Sequence, residues 1–391
     1  MASNAKNLAE LLNTDTTVAV ADVADGSITT AKLADDAVTS AKIGAGAVGT
    51  TEIADDAVTS AKSDGTVGIG KNVIINGGMT VAQRNTSVTG IGASSGYFTT
   101  DRWKIDVNNS GGRFTMAQDS SDTPDTAGFA NCTKLSCTTA DTSIAADEYF
   151  IFQQRIEGFN LQQFAKGTSS AKAFAVSFYV KGNASATYTA ELYDNDNSRQ
   201  LSKTFNVTTS WNRVSLLYAA DTTGAFGMDS NNSLNLNIWI HAGSNFTSGT
   251  LNSSSWASST TANRVSSSNT SFVDSTSRTF SITGVKLEPV QVTDFEHEDV
   301  ETALRKCQRY YQTGSYRARP FGDDTGSGYC QGWSPVEFRT NMRANPSVTI
   351  SGESQLGFQV KTDGFTAYTW FANSGNEHFD CAFSYIADSE L

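Results

Sequence analysis

At 391 residues the chain has room for two or three domains, and its 17 % charged and 38 % hydrophobic residues, with plentiful Ser, Thr, Asn and Gly, match β-sandwich or fibre proteins with polar surfaces. Five prolines are too few for a mucin-type stalk, and a net charge of −12 disfavours nucleic acid or an anionic membrane as partner, because an acidic surface repels both. No stretch approaches the length of a membrane span.

The opening MASNAKNLAELLNTD carries Glu10 and no long apolar core, so it does not read as a signal peptide; assembly in a cytoplasm is expected, even if the protein later works outside a cell. Residues 4 to 13 predict a short amphipathic helix with Leu8, Leu11 and Leu12 on one side. Ten residues are too few to be stable alone, so this helix is either a docking point on a larger assembly or a frayed tip.

From residue 17 to 66 the chain repeats every ten residues: TVAVADVADG, SITTAKLADD, AVTSAKIGAG, AVGTTEIADD, AVTSAKSDGT. The second position is always β-branched (Val18, Ile28, Val38, Val48, Val58), and the seventh is apolar (Val23, Leu33, Ile43, Ile53) until Ser63 ends the series. A spacing of five fits neither a helical stripe nor an unbroken strand, since five residues turn a helix by about 500° and put strand side chains on opposite faces. The unit must bend within each decad, as a turn-strand spiral or as alternating short strands and helical turns. One such chain has too few apolar side chains for a core of its own, so copies of itself are the expected neighbours: a thin fibrous shaft of identical chains. An Ala/Thr/Asp-rich linker is the bland alternative, but a linker has no reason to keep Val and Ile in register.

Composition changes at Gly65 to Lys71, and the globular part opens with Asn72-Val-Ile-Ile-Asn-Gly-Gly-Met. Strands are predicted over 112–118, 149–156, 173–181, 186–193, 200–207, 212–218, 234–241 and 278–287. Alternation places Phe174, Val176, Phe178 and Val180 on one face, and likewise Leu234, Leu236, Ile238 and Ile240. Eight or more such strands without helices between them predict an antiparallel sandwich of jelly-roll type; a parallel β-helix is the rival, but no rung period is visible. Asp299 can cap a helix over 299–312 with Val300, Leu304, Cys307 and Tyr311 on one side. Residues 314 to 391 read as a small β-rich tip holding Trp333, Phe338, Val348, Ile350, Phe358, Val360, Tyr368, Trp370, Phe371 and Phe383. The expected organisation is therefore an attachment segment (1–16), a decapeptide-repeat shaft (17–70), a jelly-roll sandwich (71–295), a linking helix (296–313) and a tip (314–391).

Five cysteines, at 132, 137, 307, 330 and 381, lack CxxC spacing and read as reduced structural thiols, with a Cys132–Cys137 pair as the alternative. No HExxH, GxSxG or P-loop pattern occurs, and His297 in Glu296-His-Glu-Asp299 reads as a solvated junction, not a metal site. Glycan cleavage needs two carboxylates roughly 5 to 9.5 Å apart; Asp147-Glu148, Asp194 with Asp196, and Asp323-Asp324 are the available clusters. Asp194-Asn-Asp-Asn reads as a hairpin turn, with calcium as the lesser alternative. No enzyme activity, cofactor or resident metal is expected. Sugar recognition needs only an aromatic ring under a pyranose plus polar groups for its hydroxyls. For that role the tip offers Tyr329, Trp333, Arg339, Tyr368, Trp370 and Asn373, and Trp256 in its Ser-rich loop is expected to be exposed. Trp103 and Trp239 are expected to be structural, the latter on its strand's apolar face.

The decads resemble the repeats of bacteriophage tail-fibre proteins, especially from marine and cyanobacterial phages. The segments Asn72-Val-Ile-Ile-Asn-Gly-Gly-Met-Thr-Val-Ala-Gln-Arg and Thr100-Asp-Arg-Trp are similar to the opening of a carbohydrate-binding-like sandwich in such fibres. Val285-Lys-Leu-Glu-Pro, Phe295-Glu-His and Cys307-Gln-Arg-Tyr-Tyr-Gln are similar to its close. The resemblance covers the chain from the shaft to residue 312; beyond 314 it is loose. It implies an elongated homotrimeric, receptor-binding fibre on the virion tail, joined through its N-terminal segment to a tail or baseplate protein and meeting a host surface glycan or protein at its tip. Polysaccharide cleavage, or a purely structural spacer, are the other roles such a chain can fill.

Overall fold

The computed structural model describes residues 71–318, 321–324, 329–352, 356–372, 377–378 and 381–391, together with 29, 33–34, 37–39, 42–44 and 48. The chain divides into two units, Met1–Val67 and Gly68–Leu391. In the first, Leu33, Val38, Ile43 and Val48 are described, each 45–55 % exposed in the single chain. Val18, Val23, Ile28, Ile53 and Val58 lie outside the described residues, as does the predicted helix over 4–13.

The second unit begins as an antiparallel sandwich. Its strands are β1 (Ser87–Ile91), β2 (Gly96–Tyr97), β3 (Lys104–Asn108), β4 (Arg113–Asp119), β5 (Cys132–Thr139), β6 (Tyr149–Glu157), β7 (Phe174–Gly182), β8 (Ala186–Asp194), β9 (Arg199–Val207), β10 (Asn212–Tyr218), β11 (Asn232–Ala242), β12 (Ala257–Ser258) and β13 (Thr279–Pro289). They form a six-stranded sheet, β1-β4-β5-β13-β7-β10, and a seven-stranded sheet, β12-β9-β8-β11-β6-β3-β2. All eight predicted strands are present within two residues at either end. Strands β1, β2, β3, β5 and β12 are additional; β5, CTKLSCTT, is too rich in Ser and Thr to announce itself by alternation.

The core follows from the period of two. Phe174, Val176, Phe178 and Val180 of β7 face Leu234, Leu236, Ile238 and Ile240 of β11 in one cluster, as the alternation predicted. Trp103 is fully buried, stacked on Phe152 at 4.6 Å with its Nε1–H donating to Asn76 O at 3.1 Å. The opening segment is zipped onto the closing strand β13: Val73 N–H donates to Leu287 O, Val285 N–H to Gly77 O, and Leu287 N–H to Asn72 Oδ1, each at 3.0 Å. A Cβ on Gly77 would lie 2.1 Å from Val285 O, so only glycine lets these backbones approach. Cys132 and Cys137 are free and buried; five residues apart on β5, they point to opposite faces and cannot pair.

Helix α1 (Val300–Gln308) is capped by Asp299, whose Oδ1 accepts from Thr302 N–H at 2.9 Å. It is shorter than predicted. Cys307 is buried, but Val300 is 62 % exposed, and Tyr311 starts the next strand. The remaining strands are β14 (Tyr311–Ala318), β15 (Phe321–Asp324), β16 (Tyr329–Glu337), β17 (Ser347–Ser351), β18 (Leu356–Val360), β19 (Gly364–Ala372), β20 (Glu377–His378) and β21 (Cys381–Asp388). They make the sheets β14-β21-β17 and β18-β19-β16-β15-β20 around Val336, Phe338, Met342, Val348, Phe365, Phe383 and Tyr385.

This region is clamped onto the sandwich. Arg309 grips Glu157 through two bonds of 2.9 and 2.8 Å, and Arg343 Nη1 donates to Ser230 O. Glu390, buried, pairs with Arg102 and Arg84, whose guanidiniums lie 3.4 and 3.5 Å from the ring centres of Tyr310 and Tyr311. Burial outweighs both arginines and raises the Glu390 carboxyl above its ordinary range. Tyr97 Oη and Arg155 Nη1 donate to Leu391 O at 3.1 and 3.0 Å.

Candidate functional site

The outer face of the seven-stranded sheet carries the other half of each alternating pattern. On β6, while Phe150 and Phe152 enter the core, Tyr149, Ile151, Gln153 and Arg155 face outward; on β11 the outward set is Asn235, Asn237 and Trp239. Gln153 lies directly opposite Asn237 and Ile151 opposite Trp239, with Lys104 and Asp106 of β3 on one side and Glu191 and Tyr193 of β8 on the other. The single turn Ser244–Thr247 and the 3₁₀ turn Thr261–Asn263 rise beyond, bringing Phe246 and Arg264 over the sheet. The result is a cleft of about 330 Å³ with polar and aromatic walls.

Glu191 anchors its floor. Fully buried, it accepts from Asn237 Nδ2 and Trp239 Nε1 (2.9 Å each) and from Arg264 Nε and Nη2 (2.8 Å each). Burial works against the Arg264 charge, but Glu191 overrides it and holds the guanidinium above its usual range. The same guanidinium lies 4.7 and 4.9 Å from the ring centres of Tyr193 and Trp239. Tyr149 meets Trp239 and Phe246 edge-on or tilted at 5.8 and 5.4 Å, and burial raises its phenol above the ordinary value. Burial likewise lowers Lys104, partly offset by Asp106 at 3.2 Å.

Two acceptors beneath this cleft are left unbonded. Asn237 Oδ1 and Asn235 Oδ1 are buried with no hydrogen-bond partner. Buried acceptors without partners are rare, because each forgoes its bond to water; these two lie beneath the cleft, closed to solvent, and its accessible lining is Tyr149, Tyr193, Phe246, Asp106, Thr261 and Arg264. Trp239, expected on its strand's apolar face, is fully buried on the opposite one, where its indole and Glu191 set the floor. The alternating Asn-Leu-Asn-Ile-Trp-Ile was the available signal: the face opposite the aliphatic one carries amides and an aromatic where a solvated face would carry Lys and Glu.

The predicted site residues fall elsewhere. Trp256 is not exposed: its Nε1–H donates to Ala219 O at 2.8 Å and its ring lies 5.3 Å from Phe174. Its Ser-rich loop is pinned to β9 by the β12 pairing, so the loop's composition says nothing about where the indole points. In the tip, Trp333 and Tyr368 face each other across β16 and β19 with ring centres 5.1 Å apart, and Trp333 is half exposed. Gly357 opposes Tyr368 on β18; a Cβ there would sit 2.3 Å from the tyrosine ring. Beside them runs a groove of about 480 Å³ lined by Pro335, Glu337, Gln359, Lys361 and Thr366. Arg339 is exposed; the side chains of Tyr329 and Trp370, and Asn373 altogether, lie outside the described residues.

The two carboxylate clusters whose side chains are described are each divided between different partners. Asp147 accepts from Asn108 and Asn109 while Glu148 pairs with His241; Asp194 is buried against Lys166 while Asp196 accepts from Gly227 N–H. The side chains of Asp323 and Asp324 lie outside the described residues. His297 Nε2 bonds Ala127 O and its ring packs on Phe129 and Phe295. Among the described residues no group of three or more His, Cys, Asp or Glu side chains is placed to hold a metal, and no helix is long and apolar enough to cross a membrane.

No protein-family model and no curated protein matches the chain. Solved structures similar to it include carbohydrate-binding modules, an α-L-arabinofuranosidase and a phage tailspike domain. A CBM4 module is 12 % identical over 55 % of this chain and 97 % of its own, with a TM-score of 0.27. The CBM22-1 xylan-binding domain of Paenibacillus barcinonensis Xyn10C is 10 % identical over 58 % and 99 %, at 0.27. The enzymatically active domain of bacteriophage CBA120 tailspike protein 4 is 14 % identical over 56 % of this chain and 21 % of its own, at 0.27.

Proposed function

We propose that this chain is a glycan-binding, non-enzymatic tail-fibre protein of a bacteriophage, which attaches the virion to a host-surface glycan. The observation that carries the reading is the cleft over β6 and β11, where the rings of Tyr149, Tyr193 and Phe246 stand with the polar side chains of Asp106, Thr261 and Arg264. Aromatic rings cover the apolar face of a sugar, and a polar group already held in place, as Glu191 holds Arg264, meets its hydroxyls without the cost of ordering it first. Binding without cleavage fits the carboxylates present: Glu191 has both oxygens engaged by Arg264, Asn237 and Trp239, and Asp106 is paired with Lys104. Neither is free to act as acid or nucleophile in a pair.

The fibre role is supported by the repeat, whose described apolar side chains Leu33, Val38, Ile43 and Val48 are open in one chain and suited to burial between copies. Three copies would present three clefts and three Trp333–Tyr368 pairs on one particle, and avidity can exceed single-site affinity by about 10²–10⁴-fold when sites engage together. The N-terminal segment is the part left for a tail or baseplate partner.

The test is a glycan array and a bacterial-cell panel probed with fluorescent full-length protein, with reducing sugar assayed in the same tubes. Capture without sugar release, lost in Tyr149→Ala, is expected. Sugar release would replace this reading with a depolymerase, and binding only to virion proteins would replace it with a structural spacer.

A further inference from the structure

We infer that the five-stranded sheet of the tip carries a second glycan site, which takes an uncharged linear chain laid along its strands; the inference rests on the glycan-binding reading above. Val336, Phe365 and Ala367 turn inward to the core, so the residues alternating with them on β16 and β19 turn outward. Together with β18 they make three rungs, each reachable from solvent.

The first rung is aromatic. Trp333 stands opposite Tyr368, and Tyr368 opposite Gly357. A Cβ on Gly357 would lie 2.3 Å from Cε2 and Cζ of the tyrosine, so the ring lies across bare backbone and turns its other face away from the sheet. Trp333, half exposed, has its ring centre 5.1 Å away with the two planes 42° apart. The pair forms a shallow bed for the C–H face of one pyranose.

The third rung is polar on both sides of an empty floor. Glu337 lies opposite Gly364, and on the other side Lys361 N–H donates to Gly364 O at 2.8 Å. A Cβ on Gly364 would lie 2.3 Å from Val336 O, so the floor here is obligatorily backbone. Glu337 and Lys361 are two strand spacings apart, about 10 Å. Both are exposed, and neither has a partner among the described residues. A hydroxyl-bearing ring above Gly364 can donate to the carboxylate on one side and accept from the ammonium on the other. A charged ring would gain one of these and be repelled by the other, and Asp363, exposed on the same groove, adds to the repulsion of an acidic one.

Between them the middle rung, Pro335, Thr366 and Gln359, joins the aromatic bed to the groove of about 480 Å³. From first rung to third is four residues of strand, about 14 Å, so contact with both takes a chain of about three rings. The backbones of β16 and β19 are committed to ladders on both sides, so this face offers nothing to a peptide main chain; it offers ring faces and partners for hydroxyls.

A single open face binds weakly, so the test is calorimetry at millimolar ligand. The titrations use the full-length Tyr149→Ala protein, in which the sandwich cleft is disabled. Probes are the di- and hexasaccharides of β-1,4-linked glucose and of β-1,4-linked mannose, with hexagalacturonate as the acidic chain. One neutral hexasaccharide is expected to bind about tenfold or more tighter than its disaccharide and than hexagalacturonate, because one chain links two subsites. Adding Trp333→Ala should weaken both lengths. Adding Glu337→Ala with Lys361→Ala should bring the hexasaccharide down to the disaccharide and leave the disaccharide unchanged. Equal affinity for both lengths, tighter binding of hexagalacturonate, or binding indifferent to Trp333→Ala overturns the inference. Binding by the parent and none by Tyr149→Ala also overturns it and leaves the cleft reading standing; capture of no glycan by the parent overturns both.

Discussion

The ammonium of Lys166 lies 2.6 Å from Asp194 Oδ2 with both side chains fully buried; its other two donors reach the carbonyls of Thr223 and Gly224 at 2.9 and 2.6 Å, and Asp221 Oδ2 completes the ion pair at 3.1 Å. Four oxygens surround one tethered cation. It holds the β8–β9 turn against the loop after β10, and it satisfies the turn's buried carboxylate from within the chain. Lys166→Met should destabilise the sandwich by about 3–5 kcal/mol, because it leaves the fully buried Asp194 without a cation, whereas Asp221 keeps Arg199. Urea denaturation followed by tryptophan fluorescence measures this; a loss under about 1 kcal/mol would mean the carboxylates find water or another partner.

A buried histidine makes stability depend on pH. His241 lies between Ser271 Oγ at 2.9 Å and Glu148 Oε2 at 3.2 Å, and burial lowers its pKa below 6.5 despite the pull of Glu148 and Asp141. The unfolded chain then binds the proton more readily than the folded one, so this contribution is complete above pH 6.5 and is lost as pH falls through the depressed value. Melting temperature should drop between pH 7.5 and 5, and His241→Gln should reduce that drop; an equal drop in both proteins would assign the effect to other groups.

Residues 314–391 should not be separable without cost. A chain ending at residue 313 leaves Arg84 and Arg102 without Glu390 and removes the carbonyl of Leu391 from Arg155 and Tyr97. Arg102 is itself fully buried. Melting of the sandwich should fall by about 5–10 °C, the shift that a few kcal/mol produces in a domain of this size. Scanning calorimetry of both lengths decides it, and an unchanged transition would show the clamp to be dispensable.

Trp333→Ala tests the tip without that penalty, since half the indole is already in solvent and its neighbour Tyr368 remains. Retention on host cells should fall severalfold while oligosaccharide affinity of the cleft and stability within about 0.5 kcal/mol stay unchanged. Unaltered retention would confine recognition to the sandwich.

The repeat makes its own prediction. Ile43, 45 % exposed in one chain, should be buried between copies, so Ile43→Asp should shift sedimentation toward the monomer. A parent and variant of equal mass and equal heat stability would count against a self-associating shaft.

Strand positions were legible because burial on one face imposes a period of two on any sequence: β7 and β11 announced themselves by Phe174-Ala-Val-Ser-Phe-Tyr-Val and Leu234-Asn-Leu-Asn-Ile-Trp-Ile. The helix cap at Asp299 was legible for the same local reason. The two edge strands of the seven-stranded sheet, β2 and β12, and β5 were not, because short or Ser/Thr-rich strands bury too little to leave a pattern. Trp256 misled because a side chain's burial depends on where its backbone is carried, and the β12–β9 pairing that carries it joins residues more than fifty positions apart.

What the sequence determined by itself was periodic: the decads, the alternating strands, the capped helix and hence an antiparallel β architecture, each set by neighbours within a few residues. What only tertiary structure decided was convergence. Glu191, Arg264, Gln153, Asn237 and Tyr149 are scattered over more than a hundred residues and meet because β8, β11, β6 and β3 lie side by side in an order unlike their order in the chain. The orientation of the Asn237 amide is set by Glu191, from a different segment, and sequence periodicity carries no term for that contact.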